Sequence, residues 1–332
     1  MNAEELAASV ANHLARVDGI ADLYAFLRRR TAKSNVAILM YHRVCPSDEP
    51  VLGDPSILMS KEVFETQMQY FSKNYEVLSL DKLIEFIQSR KRPPKKSLVV
   101  TFDDGYKDNY LHAYPILRRY NIPATVFLVT GQIGSNEMFW WDKVFYAINQ
   151  APIETLLLDD LGRFSLQSQH ERSIASNAIV QWLIWQELPR YRKVFLEKLF
   201  DLCEVEMRGL GRRLLLSWDE IREMASAGIV FGAHSVSHPR LTNMASQQAR
   251  DEILQSKNNI EKELRNSVTA FSYPFGDYNT EVLELVRESG FKCALGIWPH
   301  KRVCPNDEVY CMNRIWPQDF MSKRHRHLSD LD

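Results

Sequence analysis

The chain has 332 residues, 45% of them hydrophobic and 25% charged, an ordinary soluble globular composition that is enough for one barrel-sized domain with an insertion. Forty-one basic residues against 42 acidic ones leave a formal charge of −1, which provides no field for nucleic acid or a strongly acidic polymer. Five scattered cysteines, at 45, 203, 293, 304 and 311, contain no C-x-x-C pair, so they suggest neither a disulfide framework nor a cysteine zinc site.

Residues 1–35 predict two amphipathic helices. Leu6, Val10 and Leu14 recur every fourth residue, Leu23, Phe26 and Leu27 follow beyond Gly19, and the run ends in Arg28-Arg29-Arg30. The stretch lacks the uninterrupted apolar core of a signal peptide or spanning helix, so a cytoplasmic protein is expected. These helices are expected to pack on the rest of the chain, with peripheral contact at the inner face of a membrane as the alternative. From Val36 the pattern alternates: a strand from Val36 to Tyr41, helices over Lys61–Phe71 and Asp81–Ser89, a solvated Pro93-Pro94-Lys95-Lys96 loop, a strand Leu98–Phe102, a helix Tyr110–Tyr120 and a strand Ala124–Val129. Repeated β/α units imply a parallel barrel.

Residues 135–215 interrupt this rhythm and read as a helical insertion, with helices over Ile174–Leu188 and Tyr191–Leu202. Of its tryptophans, Trp182 and Trp185 sit at helical spacing and are expected in a core, whereas Trp140 and Trp141 are candidates for stacking on a ligand in a groove. Ser217, with Glu220 three residues on, predicts a capped helix that returns the chain to the barrel. A short strand through Phe231-Gly232-Ala233, a helix Ser246–Leu264, a strand Ala270–Tyr273, a helix Asn279–Ser289 capped by Gly290, and a strand Lys292–Gly296 complete the pattern. Arg314 lies near the expected last strand, and residues 321–332, including Lys323-Arg324-His325-Arg326-His327, read as a solvated tail.

Two segments carry chemistry. Thr101-Phe102-Asp103-Asp104-Gly105 places adjacent carboxylates at a strand end, where neighbours point to opposite faces, so Asp103 and Asp104 are expected to divide the work. His234-Ser235-Val236-Ser237-His238 would span roughly 13 Å if extended, whereas two ligands on one zinc stand about 3 Å apart, so a helix-like turn is expected there. Two imidazoles and one carboxylate make a catalytic zinc set with an open position for water, and the other aspartate can serve as base. The two segments together resemble the first two motifs of the polysaccharide deacetylases, the NodB-like carbohydrate esterases.

The resemblance runs from about residue 36 to about 320. It includes an opening Tyr41-His42-Arg43-Val44 segment and a third motif at Phe271-Ser272-Tyr273-Pro274-Phe275-Gly276-Asp277-Tyr278. It implies an irregular (β/α) barrel over residues 36–320, a divalent ion, zinc by expectation, on Asp104, His234 and His238, and Asp103 as base. Tyr273, Pro274 and Phe275 would line the substrate groove, with the Phe275 N–H facing the developing oxyanion. The expected substrate is an N-acetylated saccharide or glycolipid, with a carbohydrate O-acetyl esterase or a saccharide-binding protein with a vestigial site as alternatives. Where many relatives carry an arginine two residues before the motif-three proline, this chain has Ser272, and Arg314 is expected to orient Asp103 instead. The relatives' late leucine-x-histidine motif, their general acid, is not recognisable. His42 at a strand end is the candidate acid, and His300 the second choice.

Overall fold

The computed structural model describes residues 36–49, 53–186, 189–206, 213–297 and 308–317. The expected N-terminal helices, His300 and the expected tail lie outside these residues. The chain divides into two compact units: Asp48–Ser56 with Gly134–Leu215 form one, and the remainder forms the other. Twelve strands occur among the described residues. The first six are β1 (Ala37–Tyr41), β2 (Arg43–Cys45), β3 (Leu58–Ser60), β4 (Glu76–Val77), β5 (Ser97–Phe102) and β6 (Ala124–Leu128). The others are β7 (Thr155–Leu158), β8 (Gly162–Ser165), β9 (Val230–Ala233), β10 (Ala270–Ser272), β11 (Cys293–Ile297) and β12 (Met312–Arg314).

In the larger unit, β1-β5-β6-β9-β10-β11-β12 form a parallel sheet, with β4 added beside β5. The sheet curls until its ends meet: Met40 N–H donates to the Ile315 carbonyl (2.9 Å) and Ile315 N–H to that of Ile38 (2.8 Å). A parallel barrel is covered on both faces, which is why Ser-Leu-Val-Val-Thr-Phe of β5 is buried at every position. Alternation then sorts the side chains. Ile38, Val99, Phe127, Ala270, Cys293, Leu295 and Met312 share the inner cluster with Leu80, Leu83 and Ile84, while Leu39, Val100, Val126, Phe231 and Phe271 pack outward with the helices. Gly232 makes room inside the barrel, since a Cβ there would lie 2.5 Å from the Phe127 ring.

Helices Lys61–Asn74, Leu80–Gln88, Trp218–Ser226, Ser246–Leu264 and Thr280–Glu288 occupy the predicted places, and the Ser217/Glu220 capping box is formed in full. The predicted Tyr110–Tyr120 helix differs. Pro115 lacks the N–H of a regular turn and its ring would meet the Leu111 carbonyl, so a π turn over Asn109–Ala113 precedes a shorter α-helix, Tyr114–Arg119.

The smaller unit consists of helices Trp140–Gln150, Gln169–Ile184 and Pro189–Leu202 and an antiparallel β7–β8 hairpin that the periodicity did not predict. The helix expected over Ile174–Leu188 starts earlier, at Gln169, because Ser168 and Glu171 form a capping box, and it ends at Ile184. Two tryptophan expectations are corrected. Trp141 is buried, stacked on Phe139 at 4.5 Å, because the same helix face carries Val144, Phe145 and Ile148 into the core; it offers no face to a ligand. Trp185, expected in a core, is 65% exposed beyond the last helical turn. Trp140 is partly buried with the Arg192 guanidinium 4.5 Å over its ring, and Trp182 packs on Tyr191 and Phe195.

Candidate metal centre and base

The site forms at the carboxyl ends of the barrel strands. Asp103 directly follows β5, and its N–H donates to the Tyr41 carbonyl (2.9 Å), so the β1 ladder fixes it one residue beyond the strand. Asp104 and Gly105 then both adopt left-handed backbone, at φ 72° and 77°. The two carboxylates diverge through this turn rather than through strand pleating, which corrects the geometric expectation while keeping the division of labour. Gly105 is held there by packing as well, since a Cβ would come within 2.8 Å of Leu128 Cδ2.

Asp103 points into the barrel and meets Arg314 from β12 in a two-point contact: Nη1 donates to Oδ1 and Nη2 to Oδ2, each at 2.7 Å. Ser272 completes the cluster, its hydroxyl accepting from Arg314 Nη2 (2.8 Å) and donating to Asp103 Oδ2 (3.2 Å). Arg314 is 1% exposed and lies above the Phe127 ring at 5.7 Å, inside the lumen. A charge this buried is tolerable only when paired with good geometry, and this pair has it. Burial opposes ionisation of Asp103, but the adjacent Arg314 charge, the Arg314 hydrogen bonds and the neighbouring histidines together outweigh it and hold the carboxyl well below the usual range.

Asp104 faces the histidines. Its Oδ1 lies 3.7 Å from His234 Nε2 and 3.6 Å from His238 Nε2, and one ligand atom from each of the three residues falls within 4.8 Å of the others. These spacings exceed hydrogen bonds and suit three donors around one small cation. His234 Nδ1 is 2.7 Å from the Ser272 carbonyl, which can only accept, so the proton sits on Nδ1 and the Nε2 lone pair faces Asp104. Burial lowers the pKa of His234 and, further, of His238, so both rings are neutral as metal ligands must be. The donor set therefore fits a divalent ion. The segment between the histidines is not helix-like as expected: Ser235 and His238 take φ 66° and 56°, and His238 N–H caps onto Ser235 Oγ at 3.0 Å.

His42 directly follows β1 in the same neighbourhood, close enough that Asp103, Arg314 and His234 all influence its charge. Burial lowers its pKa to about 4, so it carries no stored proton at neutral pH. Asn109 Nδ2 donates to the His42 carbonyl (2.7 Å), and the Trp316 ring lies 5.3 Å from the imidazole. Phe275 sits at φ 59°, an uncommon conformation for an aromatic residue, with its ring 4.6 Å from that of His238. Tyr273 and Pro274 do not line a groove: both are buried, and the Tyr273 hydroxyl donates to the Tyr310 carbonyl (2.9 Å), because strand alternation turns Tyr273 outward into the helix layer. In the sequence, Ser272 stands out only as a departure from the motif. Asn109 and Trp316 went unpredicted, because they act through a backbone contact and ring packing that leave no spacing signal.

Residues 90–294 match the polysaccharide deacetylase family, and the chain belongs to it. It is 22% identical over 263 residues to the poly-beta-1,6-N-acetyl-D-glucosamine N-deacetylase of Staphylococcus aureus, covering 79% of this chain and 68% of that one. Identity to the putative polysaccharide deacetylase YxkH of Bacillus subtilis is also 22%, over 284 residues, 85% of this chain and 71% of the relative. The fold is shared with the Streptococcus pyogenes deacetylase PplD (TM-score 0.55, 20% identity, 86% of this chain and 96% of that one). It is shared equally with IcaB of Ammonifex degensii (TM-score 0.54, 19% identity, 86% and 95%).

Proposed function

We propose that this carbohydrate deacetylase removes N-acetyl groups from the aminosugars of a saccharide with the help of a divalent ion held by Asp104, His234 and His238, with zinc as the ion that the donor set favours. The observation that carries the reading is the pairing of that ligand set with a separate carboxylate, Asp103, fixed by Arg314 and with its Oδ2 3.8 Å from His234 Nε2. The name of the staphylococcal relative supports an N-acetylglucosamine polymer as the substrate class.

When bound, such an ion polarises the acetyl carbonyl and acidifies water. Asp103 accepts the proton of the attacking water. Its bidentate contact to Arg314 and its hydrogen bond from Ser272 prevent the carboxylate from rotating and leave it ionised across the working pH range. The Phe275 N–H supports the developing oxyanion, a contribution of about 3 kcal/mol for one such donor. Expulsion of the amine needs a proton. His42, which holds no proton at rest, relays to the leaving nitrogen the proton that Asp103 took from water. The low resting proton affinity of His42 favours O-acetyl ester hydrolysis as the second reading, because without a proton an alkoxide leaves far more readily than a nitrogen anion.

Acetate release from N-acetylglucosamine oligomers, measured after chelation and after restoring zinc, tests the proposal. Release that returns with zinc and is abolished in Asp103→Asn and in His234→Ala supports it. Sugar binding without any release overturns it, and release confined to O-acetylated sugars selects the ester reading.

A further inference from the structure

The histidine segment takes an unfavourable backbone shape. Ser235 and His238 are both left-handed, and the second ligand ring depends on that twist for its direction. One residue outside the ligand set bears most directly on it. The Glu252 carboxylate, from helix Ser246–Leu264, accepts the N–H of Val236 (2.8 Å) and of Ser237 (2.9 Å) on one oxygen and the Ser237 hydroxyl (2.6 Å) on the other. Three hydrogen bonds to a carboxylate are charge-assisted and stronger than neutral ones. They fall on two of the three residues between His234 and His238. The opposite side is closed by backbone: Thr130 N–H donates to the Ser235 carbonyl (3.2 Å) and Gly131 N–H to that of Val236 (2.8 Å). Gly131 has no alternative there, since a Cβ would lie 2.7 Å from the Val236 oxygen.

We infer that Glu252 is a positioning residue for the metal centre: it holds the 234–238 segment in its left-handed shape in the metal-free protein, so that His234 and His238 are prearranged for a divalent ion. The inference rests on the metal reading above and extends it to a residue that touches neither ion nor substrate. Groups that orient ligands from behind commonly change metal affinity 10- to 100-fold when removed. Glu252→Ala therefore weakens zinc binding by about 10- to 100-fold, and Glu252→Gln, which keeps the shape and one acceptor oxygen but loses the charge, falls between it and the parent. Arg250→Ala, on the same helix and joined to exposed Glu288, leaves zinc affinity unchanged.

The test is competition of purified full-length protein with a fluorescent zinc chelator, read beside amide hydrogen exchange at Val236 and Ser237 in the metal-free state. Glu252→Gln supplies both readings should Glu252→Ala fail to fold. Weaker zinc binding graded Ala over Gln, with faster exchange at those two amides and an unaltered Arg250→Ala control, supports the role. A parent that binds zinc through His234 while both Glu252 variants bind equally well overturns the inference and leaves the metal centre standing. A parent that binds no zinc overturns both.

Discussion

Arg314 and Asp103 meet at two points inside the barrel, and each is tolerated only because of the other. Removing the cation strands a carboxylate that is 2% exposed. Arg314→Met should therefore cost about 3–5 kcal/mol of stability, as broken buried pairs do, and lower deacetylation by about 10²-fold or more as the base loses its orientation. Arg314→Lys keeps the charge but one contact point and should fall between. Urea midpoints and kcat on one substrate check both, and an Arg314→Met enzyme of normal rate would remove Arg314 from the site. Acid sensitivity is also decided by single residues. His42 titrates at about 4 in the fold against 6.5 for a free imidazole, mainly through burial, so the unfolded chain takes up the proton first as the pH falls. This contribution to stability is complete above about 6.5 and is lost progressively down to about 4. His234 and His238, displaced in the same direction, add to the loss, whereas the Asp103 contribution fades only from the usual carboxylate range downward. The melting temperature of metal-free protein should thus drop between pH 7 and 4, and less steeply in His42→Asn. A flat profile in the parent would contradict the burial of these rings. The grouping of Asp104, His234 and His238 was legible in sequence because few residue types serve as metal donors, and the need of a buried carboxylate for a cation pointed to the Arg314–Asp103 contact. Tyr273 was misread because a motif gives adjacency in sequence, while strand alternation decides which side each residue faces.

The strands supply the direction of the functional groups, and the turns after them supply the convergence. Val99, Thr101 and Asp103 share one face of β5 and its extension, as Ala270 with Ser272 and Met312 with Arg314 do on β10 and β12, so the lumen changes from hydrocarbon to polar within one register step. Such alternation was readable from the apolar runs, as were most helices, whose caps and glycine stops are local signals. The left-handed bends at Asp104, Ser235 and His238 were not, because packing and partners distant in sequence impose them, and neither were the π turn, which Pro115 marks only as a break in a helix, and the short β7–β8 hairpin. Gly232 shows how closely the layers fit. A methyl group there would press on Phe127 and on the Ala270 carbonyl, at 2.5 and 3.0 Å. Gly232→Ala should destabilise by about 1–3 kcal/mol as other overpacked cores do, with activity reduced because Phe127 lies beneath Arg314. Phe127→Leu in the same chain should restore part of the stability. Thermal unfolding of the two single variants and the double variant measures the coupling, and strict additivity would show that the two side chains do not compete for the same space.

At the scale of the whole molecule, the site is a meeting of distant stretches of chain. Asp103 and Asp104 follow β5, His234 and His238 follow β9, Ser272 ends β10 and Arg314 ends β12, so no fragment of the sequence holds the constellation. The ligand set exists only when the barrel is assembled, and an ion that binds the folded form must oppose unfolding of the larger unit as a body. The linkage is quantitative: free zinc at 100 times its dissociation constant should add about 2.7 kcal/mol to the free energy of unfolding, less whatever the unfolded histidines and thiols retain. That offset concerns the thiols of Cys45, Cys203, Cys293 and Cys311, none in a disulfide, which only the unfolded chain exposes in full. Titrating zinc into chelator-treated protein should raise the melting temperature of the parent with a logarithmic dependence on zinc above saturation. His234→Ala should lose the effect, while Asp103→Asn should keep it, because the proposed ligand set is Asp104, His234 and His238. If Asp103→Asn abolished the stabilisation as fully as His234→Ala, Asp103 would belong to the ligand set and the separation of base from metal would fail. A shift of equal size in His234→Ala would place the bound zinc elsewhere on the chain.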